Sequence, residues 1–283
     1  MLPIIQILGL PLLICVLMSF MLGSLGTHIL KREVIFIDIA LAQIAAVGSI
    51  AAHMIFKVHG DSSVAYVCSF GCVLLAAGFY AFTRNKISQI SLEAVIGISY
   101  AIAAAAALFL VGVAPGGHMH IQHLLSGSIL WVSWKQIITS FIVFSIVGIC
   151  FYLIRKPIAE ISNSYQKHAT GNLRVIFWDF IFYVLLGVVV TLSVQIGGVV
   201  VVFAYLIIPA TISALFTLRP TLQIMVIGAA AILASLGGLL FAYYLDFSIG
   251  PAIALFLGGE LLAISVLMRF CSKKPSFGTN KNI

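Results

Sequence analysis

Charge is what this sequence has least of. Of its 283 residues, 8 are acidic and 15 basic, so that 8% are charged against about 25% in soluble domains, too few to cover a water-exposed surface. Apolar residues fill the space instead, at 62% against about 45–50% in soluble proteins. A soluble enzyme is thereby excluded, and the reading is an all-α, polytopic transmembrane bundle embedded in a lipid bilayer. Catalytic signatures are missing as well: there is no G-x-x-x-x-G-K-[ST] loop, no H-E-x-x-H and no G-x-S-x-G. The chain therefore reads as no enzyme and as holding no cofactor of its own, and any ATP it depends on must be bound by a separate subunit. Linkers are lacking too. One transmembrane domain over residues 1–270 is expected, followed by a short basic cytoplasmic tail at 271–283. The 5 cysteines fit neither a zinc-ribbon nor a redox spacing, since Cys68 and Cys72 form a C-x-x-x-C pair, and they are assigned to packing.

Nine apolar stretches, 4–27, 34–56, 62–82, 92–113, 136–154, 175–194, 196–216, 221–244 and 249–269, predict about 8–9 spans. The first is too long for a signal-peptide core and has no basic residue ahead of it, so it is expected to be retained. Alternate separators gather Lys31, Arg32, Arg84, Lys86, Arg155, Lys156, Lys167, Arg174, Arg219, Arg269, Lys273, Lys274 and Lys281, while only Lys57 and Lys135 fall on the other side. By the positive-inside rule the rich side is cytoplasmic, the N-terminus is outside and the C-terminus inside. The net charge of +7 follows from this topology and gives no ground for nucleic-acid binding. Trp131, Trp134 and Trp178 lie near span ends, as an aromatic belt requires. Gly197, Gly198, Pro209, Gly237, Gly238, Gly258 and Gly259 are expected to serve close helix packing.

The second stretch, Val34 to Phe56, holds the most informative residues. Asp38 and Gln43 lie inside it, and a carboxylate in hydrocarbon costs at least roughly 2.5 kcal/mol, so Asp38 is expected to face the bundle interior or an ion path. Glu260, His53 and Gln195 are the other polar candidates within apolar segments. Outside, His118, His120 and His123 can converge on a divalent metal, because neutral imidazole is its commonest nitrogen ligand. The long inner loop Arg155 to Arg174 is expected to carry an amphipathic helix between Pro157 and Gly171. Ile158, Ile161 and Tyr165, with Lys167, would present it to a cytoplasmic partner. Asp179 and Glu93, near inner span ends, are assigned solvated or helix N-terminal roles.

Four segments carry a family resemblance that covers nearly the whole chain. They are Asp38 with Ala40-Leu41-Ala42 and Gly48; Leu92-Glu93-Ala94-Val95-Ile96-Gly97-Ile98; Leu124-Leu125-Ser126-Gly127-Ser128-Ile129-Leu130; and Gln195 through Gly198 to Ile208-Pro209-Ala210. In their order they resemble the permease subunit of bacterial ABC importers for zinc and manganese. The resemblance implies a type II importer-like permease in the bacterial inner (plasma) membrane, working as a homodimer with a cytoplasmic ABC ATPase and an extracytoplasmic metal-binding protein. The divalent ion would be cargo. One departure stands out. Aligned on Gly48, Gln43 takes the place of the family's intramembrane His, and Asp38 falls one residue out of register, roughly 140° around an ideal helix from Gln43. The two cannot share one ion without an irregular helix or a partner from another span. Two other readings stay open: an ion-gradient-driven secondary metal transporter using Asp38 and Glu260, and an ABC permease for a metal chelate.

Overall fold

A computed structural model describes residues 2–56, 62–86, 90–113, 127–163, 173–217 and 219–271. They form Leu2–Arg32 (α1), Ile37–Phe56 (α2), Ser63–Lys86 (α3), Leu92–Val113 (α4), the 3-10 turn Ile129–Trp131, Trp134–Leu153 (α5), Arg155–Asn163 (α6), Leu173–Gly197 (α7), Val199–Phe216 (α8), Pro220–Leu245 (α9) and Ile249–Cys271 (α10). Every one except α6 and the short turn is long and apolar enough to cross a membrane, which gives 9 candidate spans among the described residues, one for each expected stretch. With no water to satisfy the backbone in hydrocarbon, helices that bond internally are the natural outcome of such a composition.

Local sequence sets the ends. Ser133 and Gln136 form a reciprocal capping box that starts α5, and Pro220 occupies the first turn of α9, where its missing N–H costs nothing. Asp246, in the left-handed conformation at φ 51°, closes α9. Two groups of helices result. In one, α1 packs on α8 and α9, and α10 packs on both; in the other, α2 packs on α3 and α4, with α7 laid across α3 and α2. Close approach depends on glycine: a Cβ at Gly26 would run into the Leu206 carbonyl of α8, and one at Gly48 would sit 2.8 Å from the Ser69 Cα of α3. Gly238 likewise meets the Ile253 backbone, as packing without a hydrophobic drive between helices requires. Gly258 and Gly259 differ from the expectation, since among the described residues no other helix comes within 4 Å of where their side chains would be.

The structure corrects the sequence reading in two further places. Helix α1 does not stop near Thr27 but runs through His28, Lys31 and Arg32. The reason is that Arg32 is only 1% exposed and is neutralised inside the bundle. The inner loop does begin as a helix, but Ile158 (0% exposed) and Ile161 (6%) are buried against the bundle's own α1 and α7. Short apolar side chains beside a bundle find their own chain first. They therefore do not form a free docking face, whereas Arg155, Lys156 and Glu160 of α6 are exposed. Tyr165 and Lys167 lie outside the described residues.

Candidate functional site

The end of the bundle that carries Arg32 and Arg84 gathers most of its polar chemistry. Between α1 and α2 the chain reverses in a few residues, with Glu33 at φ 56° and its N–H donating to the Leu30 carbonyl at 3.3 Å. Glu93, in the first turn of α4, caps this turn by accepting from the Phe36 N–H at 3.1 Å. Two residues further on, Asp38 occupies the first turn of α2 and is 1% exposed. Its Oδ1 has no hydrogen-bond partner, and neither has the buried Oε2 of Glu93. The two carboxylates are within electrostatic reach of one another, each at a helix N-terminus whose dipole favours negative charge. The sequence expectation for Asp38, a bundle interior, holds. Glu93 does more than cap its own helix, because it joins α4 to the start of α2.

Gln43 is half-buried on the same, uninterrupted α2, so the helix offers no irregularity that would turn its amide toward Asp38. His53 and Gln195 are half-buried as well. Gln195 precedes a break at Gly198, whose φ of 79° separates α7 from α8. Into this break docks the turn at Gly127, itself at φ 67°, with the Ser128 N–H donating to the Ile196 carbonyl at 2.8 Å. A side chain at Gly127 would collide with the Gly197 carbonyl group. Gly197 in turn lies against Met18, roughly 16 Å along α1 from Ile7, so two glycine turns meet well inside the apolar layer. Two of the motifs separated in sequence are thus one structural feature.

Asp179 overturns its assignment to a solvated role. It is 0% exposed and pairs with both Arg32, at 2.7 Å, and Arg84. Arg32 also donates from Nε to the Ser162 hydroxyl of α6 at 2.9 Å, and its guanidinium lies 4.0 Å from the Phe182 ring centre. His28 Nδ1 is 3.3 Å from the same hydroxyl. Four helices, α1, α3, α6 and α7, are tied at one charged knot. The signal available in the sequence was one acid at a span end facing basic span ends.

Glu260 is remote from this corner in the helix grouping. It is half-buried on α10 and edges a cavity of about 370 Å³ whose other walls include Ile212, Phe216, Val226, Ala230 and Leu233. His118, His120 and His123 lie outside the described residues. Among the described residues no three His, Cys, Asp or Glu side chains converge as a metal-holding group.

A chain of this fold, with charged groups buried in its membrane helices and no nucleotide-binding motif, is built as a transport permease. It belongs to the ABC 3 transport family, which it matches over residues 5–269. It is 24% identical over 264 residues to a probable metal transport system membrane protein of Chlamydia pneumoniae, covering 90% of this chain and 87% of that one. It is 26% identical over 238 residues to the manganese transport system membrane protein MntC of Listeria innocua, covering 82% and 80%. Its fold is similar to that of PsaBC from Streptococcus pneumoniae, with a TM-score of 0.73 at 21% identity over 92% of each chain. It is also similar to an inward-facing metal-chelate type ABC transporter, with a TM-score of 0.66 at 14% identity over 94% of this chain and 89% of that one.

Proposed function

We propose that this protein is the membrane-spanning subunit of an ATP-driven importer for divalent metal ions, with manganese or iron as cargo. The observation that carries the reading is a fully buried carboxylate with an unpartnered oxygen, Asp38, in a chain that matches a transport family almost from end to end. Relatives named for manganese and, in Haemophilus influenzae, for iron support the choice of ion. The basic end faces the cytoplasm, which sets the N-terminus outside and the C-terminus inside. A separate cytoplasmic ATPase docks at that end, on the exposed charged face of α6 and the residues from Thr217 to Thr221, where α8 ends and α9 begins. A second copy of the chain completes the permease, and an extracytoplasmic protein delivers the ion. The His118, His120 and His123 cluster assists capture, so replacing all three with Ala should weaken uptake at limiting metal and spare it at high metal.

Radioactive Mn²⁺ uptake into proteoliposomes containing the permease and its ATPase tests the function. Uptake that requires ATP supports it. Uptake by the permease alone, driven by an imposed proton or sodium gradient, would establish the secondary-transporter reading instead, and uptake of a metal chelate in preference to the bare ion would establish the chelate reading.

A further inference from the structure

We propose that Asp38 and Glu93 together form a two-carboxylate subsite for a divalent cation at the basic end of the bundle, the last protein oxygens the ion meets before release. The inference rests on the reading of the chain as a divalent-metal permease and names a partner for Asp38 that the second span cannot supply. On an uninterrupted α2, Gln43 points roughly 140° away from Asp38. Glu93 comes from α4, which packs along α2, and is fastened to the approach to α2 through the Phe36 N–H. Each carboxylate keeps one buried oxygen without a hydrogen-bond partner, Oδ1 of Asp38 and Oε2 of Glu93, and Asp38 is all but sealed from solvent. Buried polar atoms are normally satisfied, and two orphaned oxygens of like charge in one corner are satisfied together by a cation between them.

The nearby Arg32 and Arg84 both engage Asp179. Two carboxylates neutralise a divalent ion. The helix N-termini beneath them repel it in part, and water must complete its coordination, so it is held weakly enough to leave, as conduction requires. Oxygen ligands alone suit Mn²⁺ better than Zn²⁺, which favours imidazole and thiolate.

The test titrates the full-length permease in lipid nanodiscs with Mn²⁺ and reads the free ion by electron paramagnetic resonance, in a background with His118, His120 and His123 changed to Ala. Glu93→Gln keeps an acceptor for the Phe36 N–H while removing the charge, and Asp38→Asn keeps the shape of its side chain. Each is expected to weaken Mn²⁺ binding at least tenfold, with Glu93→Asp retaining part of it and Zn²⁺ competing poorly. Wild-type affinity in a folded Glu93→Gln protein overturns the subsite. If that result comes with ATP-driven Mn²⁺ uptake by the wild-type complex, the permease reading stands and only the subsite falls. A wild-type complex that takes up no divalent metal overturns both.

Discussion

Asp179→Asn should be among the most damaging single substitutions in this protein that create no cavity. The carboxylate is 0% exposed and pairs with two guanidinium groups, from Arg32 at 2.7 Å and from Arg84. Removing one partner of a buried ion pair costs about 3–5 kcal/mol, because the remaining charge is left desolvated. The Asn carbonyl still accepts one hydrogen bond, which places the loss at ~3 kcal/mol, or roughly a hundredfold in the folding equilibrium. At roughly 2–4 °C per kcal/mol for a chain of this size, the melting temperature should fall by about 6–12 °C. Fluorescence-detected thermal unfolding of the detergent-solubilised protein measures it. Arg84→Gln alone should cost far less, since it leaves a neutral Arg32–Asp179 pair, and in the Asp179→Asn background it should recover stability by removing an unbalanced charge. A coupling of about 2 kcal/mol is expected from this cycle. Strict additivity, or an Asp179→Asn protein within about 0.5 kcal/mol of wild type, would refute the description of this knot as two arginines held by one buried carboxylate.

Other outcomes follow from the same structure. Gly127→Ala places a side chain at φ 67° and into the Gly197 carbonyl group, so it should lower thermal stability by more than the ~1 kcal/mol of left-handed strain and abolish uptake, whereas Gly228→Ala, with open space around it, should change neither. In a protein lacking native cysteines, Gly116→Cys should react with an impermeant maleimide from outside and Ser164→Cys only after permeabilisation; the reverse pattern would invert the topology. Arg155→Glu combined with Lys156→Glu should release the ATPase in co-purification while the permease stays folded, and a complex that survives would move docking to the segment from Thr217 to Thr221.

The spans were legible because a run of apolar residues about as long as a bilayer is thick has few alternatives to a helix, and each of the expected stretches became one. Their ends were less so. Polarity at His28 to Arg32 reads as a loop until one knows that Asp179, far along the chain, neutralises Arg32. The same blindness to partners made Asp179 look solvated and Ile158 and Ile161 look available, since a single sequence shows that a side chain is apolar or charged but not which helix arrives beside it. Asp38 was found because a lone carboxylate in hydrocarbon is costly wherever it sits. Glu93 was not, because near a span end a helix N-terminal role explains it fully until the orphaned oxygens of both carboxylates are seen at one corner. The motif around Gly127 and the one around Gly198 were each recognisable, yet their meeting depended on the fold.

Initial rates of ATP-driven Mn²⁺ uptake, compared between wild type and Asp38→Asn in proteoliposomes with matched amounts of assembled permease and ATPase, bear most directly on the claim that a buried carboxylate carries the ion. Asp38 is 1% exposed and the substitution preserves its shape, so assembly and basal ATP hydrolysis should persist. Uptake should fall at least tenfold, and Asp38→Glu should keep part of it. Full uptake by assembled Asp38→Asn would contradict the account, making Asp38 a structural group and moving the ion path toward Glu260 and Gln195.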